Sequence, residues 1–209
     1  MKKDIVENQF DEIFSEKPDI KYNFNSKKLG HKDRKIIKLL LTNGIRNKIV
    51  LDIGPGTGRW LQFMYNNGAE FIGAIDISNE ALKRVAPLCN KVQKANLEVD
   101  YFNFNDCFFD IVVSFEVLEH LSNPHNFLSE IKRITKKGGI IILSLPNIVS
   151  LISRMRLLVG LLPPVMSMDK THVGFYRQKD LIELLGHYLM TPDFIPTSIS
   201  MNPTNPKSR

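Results

Sequence analysis

The chain has 209 residues, 24% charged, 43% hydrophobic and 9% aromatic, the size and balance of one globular domain with short appendages, which excludes a disordered or collagen-like chain. Lys and Arg number 28 against 22 Asp and Glu, a net charge of +6. Cys89 and Cys107 are too few for a disulfide framework or a zinc quartet, so a reducing, cytoplasmic setting is expected.

The basic excess sits at the ends. Residues 1–48 hold 12 basic and 7 acidic side chains, residues 49–146 hold 9 and 11, and residues 147–209 hold 7 and 4. The start breaks into charge before an apolar run can build a signal peptide. Ile140–Met166 is interrupted by Pro146, Arg154, Arg156, Pro163 and Pro164, so no membrane span is expected, although an interfacial helix stays open.

Residues 1–30 read as a polar arm with one short helix around Val6–Phe14, and Lys32–Asn43 as a helix ended by Gly44. Lys48–Ile53 is a short apolar strand, Gly54–Gly58 a glycine loop, and Arg59–Asn67 a helix closed by Gly68. Glu70–Ile77 predicts a second strand, Asn79–Cys89 a helix capped by Ser78, and Lys91–Lys94 a third strand. Phe109–Phe115 and Gly139–Leu145 predict two more strands, separated by a helix over Asn123–Thr135. This alternation implies right-handed crossovers and a mostly parallel sheet with helices on both faces.

Gly54-Pro55-Gly56-Thr57-Gly58 follows a strand and opens a helix, where backbone N–H groups and the positive helix end receive polar or anionic ligand groups. A dinucleotide fingerprint would want glycine where Arg59 stands. What matches instead is G-x-G-x-G preceded by Asp52, with Asp76 closing the second strand. An acid there accepts from both ribose hydroxyls of a nucleoside and repels a 2′-phosphate, so a nucleoside cofactor is expected. The alternative is a tight turn without chemical use.

Four segments then resemble, in order, the signatures of class I S-adenosylmethionine-dependent methyltransferases: Val50–Gly58, Ala74–Ser78, Phe109–Leu121 and Ile131–Ile142. More narrowly, they are similar to the branch of small-molecule and quinone-precursor methyltransferases. The resemblance covers about residues 45–186. It implies a Rossmann-like three-layer α/β/α sandwich of six or seven strands with a shortened C-terminal hairpin, preceded by an N-terminal arm and helix over residues 1–44. It also implies that the Gly54–Gly58 loop faces the methionine part of S-adenosyl-L-methionine, that Asp76 holds the ribose with Ile77 beside it, and that Glu116 backs the sulfonium region. Asn96 takes the place of the usual acid at the adenine amino group, and Leu97 covers the ring. Asp52 orients the loop or reaches the cofactor's amino group.

Methyl transfer from a sulfonium is an in-line displacement in which the protein mainly positions the acceptor. His120, just past the fourth strand, could take a proton from a hydroxyl; the bland alternative is a histidine bonded to backbone or to Glu119. The resemblance places His172 and Tyr176 at the edge of the acceptor pocket. Glu119, His120 and His172 could in principle chelate a metal, but without two more acidic ligands no metal is expected. His31, His125 and His187 read as surface residues.

Apolar residues at 148, 151, 152, 155, 158, 159 and 162 recur at helical spacing and predict a lid helix over about 148–162, suited to a lipid-like acceptor or to peripheral contact with a membrane surface. A helix over Gln178–Leu185 follows. Only one edge strand, near Phe194–Ser200, fits among the late prolines, so the sheet is expected to end early and leave an edge for a homodimer.

The reading is a cytoplasmic S-adenosylmethionine-dependent methyltransferase acting on oxygen or nitrogen of a small or lipid-like acceptor. Two alternatives are a cofactor-binding protein without turnover and, from the basic arm, an RNA methyltransferase. Nucleic acid is not the expected partner, because the arm intersperses acids with its bases. The Pro-Pro-aromatic signature of base-modifying enzymes is also absent after the fourth strand, where Ser114-Phe115-Glu116-Val117 stands.

Overall fold

A computed structural model describes residues 2–15, 29–163, 166 and 171–189. Five parallel strands form one sheet in the order β3-β2-β1-β4-β5: β1 (Ile49–Ile53), β2 (Phe71–Asp76), β3 (Lys91–Lys94), β4 (Phe109–Phe115) and β5 (Thr135–Ser144). The expected strand near Phe194–Ser200 lies outside the described residues.

The helices are α1 (Lys2–Ser15), α2 (His31–Thr42), α3 (Arg59–Asn66), α4 (Asn79–Val85), α5 (His125–Ile134), α6 (Leu151–Leu158) and α7 (Gln178–Gly186). Short 3₁₀ turns follow α4 at Ala86–Leu88 and β4 at Leu118–His120. The chain order of strands and helices is the expected one. α4 is shorter than the predicted helix, since Pro87 cannot donate to the turn before it. Its start is fixed by Ser78, whose hydroxyl accepts from the Ala81 N–H at 3.1 Å.

β1 and β2 are buried along nearly their whole length, as strands covered on both faces must be. Alternate residues feed two cores. Leu51, Ile53, Ile75, Phe109 and Val112 pack with Phe127, Leu128 and Ile131 of α5 and with Leu181 and Leu185 of α7. Val50, Ile72, Ala74, Ile111 and Val113 pack on the other side with Ile36 and Leu40 of α2, Leu61 and Met64 of α3, and Leu82 and Val85 of α4. β5 shifts register against β4 between Phe109 and Ile111, and Gly138 at φ +78° lets the chain turn at that irregularity.

α6 differs from expectation. It is shorter than the predicted lid helix, and its apolar stripe is not buried: Ile152 is 68% and Leu158 83% exposed, with Leu151, Met155 and Val159 also exposed, while Ser153 turns inward. Helical periodicity specifies a stripe but not the surface that covers it.

Candidate cofactor and acceptor site

The strand order changes direction between β1 and β4, and in an open parallel sheet the ligand crevice lies beyond the carboxyl ends of the strands at such a point. The loop after β1, Asp76 at the end of β2, Asn96 and Leu97 after β3, and Glu116 to His120 after β4 all lie along that edge. The expected cofactor residues are thus brought to one rim of the sheet.

The loop is shaped by its glycines. Gly54, Gly56 and Gly58 have φ of +71°, +53° and +77°, values that L side chains adopt only with strain. At Gly54 a Cβ would also overlap Val117 Cγ2, so the loop and the segment after β4 close against each other over a hydrogen atom. The Gly54 N–H donates to Ile75 O at 2.8 Å and ties the loop to β2.

Asp76 is 6% exposed, and its carboxylate accepts from the Ser78 N–H at 2.9 Å. Burial pushes its carboxyl up to about 6, opposed by the backbone N–H groups of Ser78, Gly56 and Ile77. Asp52 is 2% exposed, and burial together with the neighbouring Asp76 charge pushes it up to about 8. Its Oδ2 is buried without a hydrogen-bond partner. That atom fits a site that receives a cationic group from outside, because a buried acceptor left unmatched costs about 1–3 kcal/mol. Asp52 and Asp76, set beside a glycine loop at one rim, suit the ammonium and ribose of a nucleoside amino acid.

Asn96 forms an Asx turn, its Oδ1 accepting from the Glu98 N–H at 3.0 Å and its own N–H donating to Asp100 Oδ2 at 2.8 Å. A second lone pair on that oxygen is available for an adenine amino group. Leu97 is buried, and its carbonyl accepts from Asn126 Nδ2 at 3.0 Å. Glu116, at φ +56°, pairs with Lys32 Nζ at 2.7 Å and accepts from Ser144 Oγ at 2.8 Å. Neither Lys32 nor Ser144 was foreseen there, because sequence spacing does not show which α2 side chain overhangs the rim.

On the acceptor side the structure brings together residues 51 or more positions apart. Val173 and Gly174 donate to Glu119 O at 2.9 and 2.8 Å, clamping the loop before α7 onto the turn after β4. The His172 ring thereby lies tilted against that of His120, ring centroids 4.8 Å apart, with its Nε2 3.9 Å from buried Glu119 Oε1. Tyr176 joins the cluster: burial and the Glu119 charge raise its phenol above the ordinary value. His120 Nδ1 lies 3.2 Å from Thr171 O and 2.8 Å from Thr171 Oγ1. The carbonyl can only accept, which favours a proton on Nδ1 and a lone pair on Nε2. This contact with the Thr171 backbone orients the ring. The ligand atoms of Glu119, His120 and His172 lie within 4.8 Å of one another, a set that could hold a metal ion. His31, His125 and His187 are exposed, although His125 Nδ1 meets Tyr188 OH at 2.5 Å.

Sheet order, glycine loop and rim carboxylates define a doubly wound α/β protein with its ligand crevice at the switch point. Within that class the chain belongs to the methyltransferase-domain family, whose model matches residues 26–188, and its cofactor is S-adenosylmethionine. It is 35% identical over 116 residues to the ubiquinone biosynthesis O-methyltransferase of Glaesserella parasuis, covering 51% of this chain and 48% of that one. It is 32% identical over 106 residues to the enzyme of the same name from Maricaulis maris, covering 47% and 40%. The chain thus spans less than half the length of these relatives. Among solved structures, a SAM-dependent methyltransferase from Archaeoglobus fulgidus superimposes with a TM-score of 0.60 at 23% identity, covering 74% of this chain and 66% of that one. One from Mesorhizobium loti gives 0.51 at 16%, covering 57% and 56%. These likenesses show the fold.

Proposed function

We propose that the chain transfers a methyl group from S-adenosylmethionine to oxygen or nitrogen of a small or lipid-like acceptor, with a ring hydroxyl of a quinone precursor as first choice. The observation that carries this reading is the convergence of His120, His172 and Glu119 beside the rim on which Asp52, Asp76 and the glycine loop lie. The names of the relatives supply the acceptor class. The cofactor, when bound, supplies an activated sulfonium methyl. Asp76 would hold its ribose, Asp52 its ammonium, and Asn96 and Leu97 its adenine, with Ile77 and Glu116 completing the rim. His120, held at Nδ1 by Thr171, would take the hydroxyl proton at Nε2, and His172 and Tyr176 would orient the acceptor ring.

The exposed apolar stripe of α6, flanked by Arg154 and Arg156, supports an acceptor with a lipid tail and peripheral contact with a membrane surface. Among the described residues no helix is long and apolar enough to cross a membrane. Cys89 and Cys107 are free thiols, which supports a cytoplasmic location, and β5, paired on one side in the described sheet, offers an edge for a homodimer. Basic side chains of the N-terminal half engage acids, as Lys32 does Glu116 and Arg59 does Asp33 at 2.8 Å, which favours a small acceptor over RNA.

Transfer of a labelled methyl group to phenolic and catecholic acids, with and without a prenyl tail, tests the reading. His120→Ala is expected to lower kcat about 100-fold or more while leaving affinity for S-adenosylhomocysteine unchanged. Binding of that product without any methyl transfer would instead establish a cofactor-binding protein without turnover.

A further inference from the structure

Glu7, Phe10, Asp11 and Phe14 of α1 are spaced i, i+3, i+4 and i+7, which sets them on one side of the helix. That side crosses the carboxyl ends of four strands. Glu7 reaches Lys94 at the end of β3 and accepts from Asn79 Nδ2 at 3.2 Å. Asp11 accepts from Ser78 Oγ at 2.5 Å and from the Glu80 N–H at 3.1 Å, just beyond β2. Phe14 lies against the loop after β1, its ring 3.1 Å from where a Cβ on Gly56 would stand, and its carbonyl accepts from Arg84 at 3.0 Å. Phe10 meets the His120 ring beyond β4 edge-on, with centroids 5.5 Å apart.

The path of α1 is therefore the path of the crevice. A helix that served only the core would be buried on apolar side chains, whereas the contacts just described fasten α1 through Glu7, Asp11 and the Phe14 carbonyl as well as through rings set on the rim. Glu7 and Asp11 are only half-buried, and polar contacts so close to water can hold a short helix down and still be broken locally, without unfolding the sheet.

We propose that α1 is the lid of the S-adenosylmethionine crevice, latched by Asp11 on Ser78 and Glu80 and seated by Phe14 on the glycine loop. The lid rests on the assignment of this crevice to the cofactor. It lifts for exchange and closes again over the bound cofactor. Asp11 and Phe14 are positioning residues in this role. Phe10 brings the closed helix to the acceptor side as well, where its ring meets that of His120 edge-on.

Hydrogen–deuterium exchange on the full chain, with and without saturating S-adenosylhomocysteine, tests the lid directly. Backbone amides of residues 7–15 are expected to exchange at least about tenfold more slowly in the bound protein. Asp11→Asn and, separately, Phe14→Leu are expected to release S-adenosylhomocysteine about tenfold faster, with the melting temperature of the unliganded protein unchanged, a combination that a purely structural role would not give. Tight binding by the parent chain with unchanged α1 exchange and parental release rates in both variants would overturn the lid alone. Failure of the parent chain to bind S-adenosylhomocysteine would overturn the cofactor assignment and the lid with it.

Discussion

Asp52 and Asp76 illustrate how a residue can be costly to the empty fold and useful to the site. Both carboxyls are raised, to about 8 and about 6, from an unfolded value near 3.9. The folded chain consequently holds more protons than the unfolded one across the interval between those values. Their contribution to stability is greatest below about pH 4, falls as pH rises through 6 and 8, and levels off above. Asp52→Asn removes the larger share of this slope. Urea unfolding should show the variant more stable than the parent at pH 8, by on the order of 2 kcal/mol, with the gain vanishing near pH 4. An unchanged pH profile would mean that Asp52 is solvated in a way its burial does not suggest.

At the scale of elements, the loop after β1 and the turn after β4 are shaped against each other. Gly54→Ala meets two obstacles, a positive φ and Val117 Cγ2. The expected cost is about 2–4 kcal/mol, read as a shift in the urea midpoint. Adding Val117→Ala should recover only part of it, since the steric overlap goes but the backbone cost stays; full recovery would show that φ is immaterial here. The apolar runs of β1, β2 and β4 are legible in sequence because strands buried on both faces leave no other reading. α1 is legible as a helix but not as a neighbour of the crevice, because it attaches through Glu7 and Asp11, and hydrophobic periodicity is silent about polar fastening. α6 shows the converse: its stripe is plain in the sequence, yet the structure leaves it exposed.

For the whole molecule, the segment between β3 and β4 is organised by Arg133. Its guanidinium donates to Phe102 O at 2.7 Å, Phe104 O at 2.9 Å, Glu130 Oε2 at 2.7 Å and Asp106 Oδ1 at 2.6 Å. Glu130 in turn accepts from the Phe102 N–H at 2.8 Å. Burial works to raise the Glu130 carboxyl, but the Arg133 hydrogen bonds outweigh it and hold the group below its ordinary value. Arg133→Met should therefore cost about 3 kcal/mol in urea unfolding, largely because Glu130 would keep a charge without its partner. A loss under about 1 kcal/mol would show that solvent replaces the guanidinium. None of this network is evident from the sequence, since Glu130 and Arg133 look like an ordinary i,i+3 surface pair until the loop folds over them. That the glycine loop, Asp76, Asn96 and Glu116 share one rim was legible because each stands at or just past a strand end. The acceptor side was less so, since Thr171 reaches His120 only through the fold.

Glu116 keeps a carboxylate at a backbone angle, φ +56°, that glycine would adopt at less cost. Its charge is met by Lys32, 2.7 Å away on α2, whereas among the described residues Asp52 Oδ2 has no hydrogen-bond partner. The crevice is in consequence electrically lopsided: the Glu116 charge is already matched by Lys32, whereas Asp52, its carboxyl pushed up to about 8, gains a stable charge only when a cation arrives to match it. An ammonium held at Asp52 would therefore expel the carboxyl proton, so that its arrival and the loss of that proton become one event.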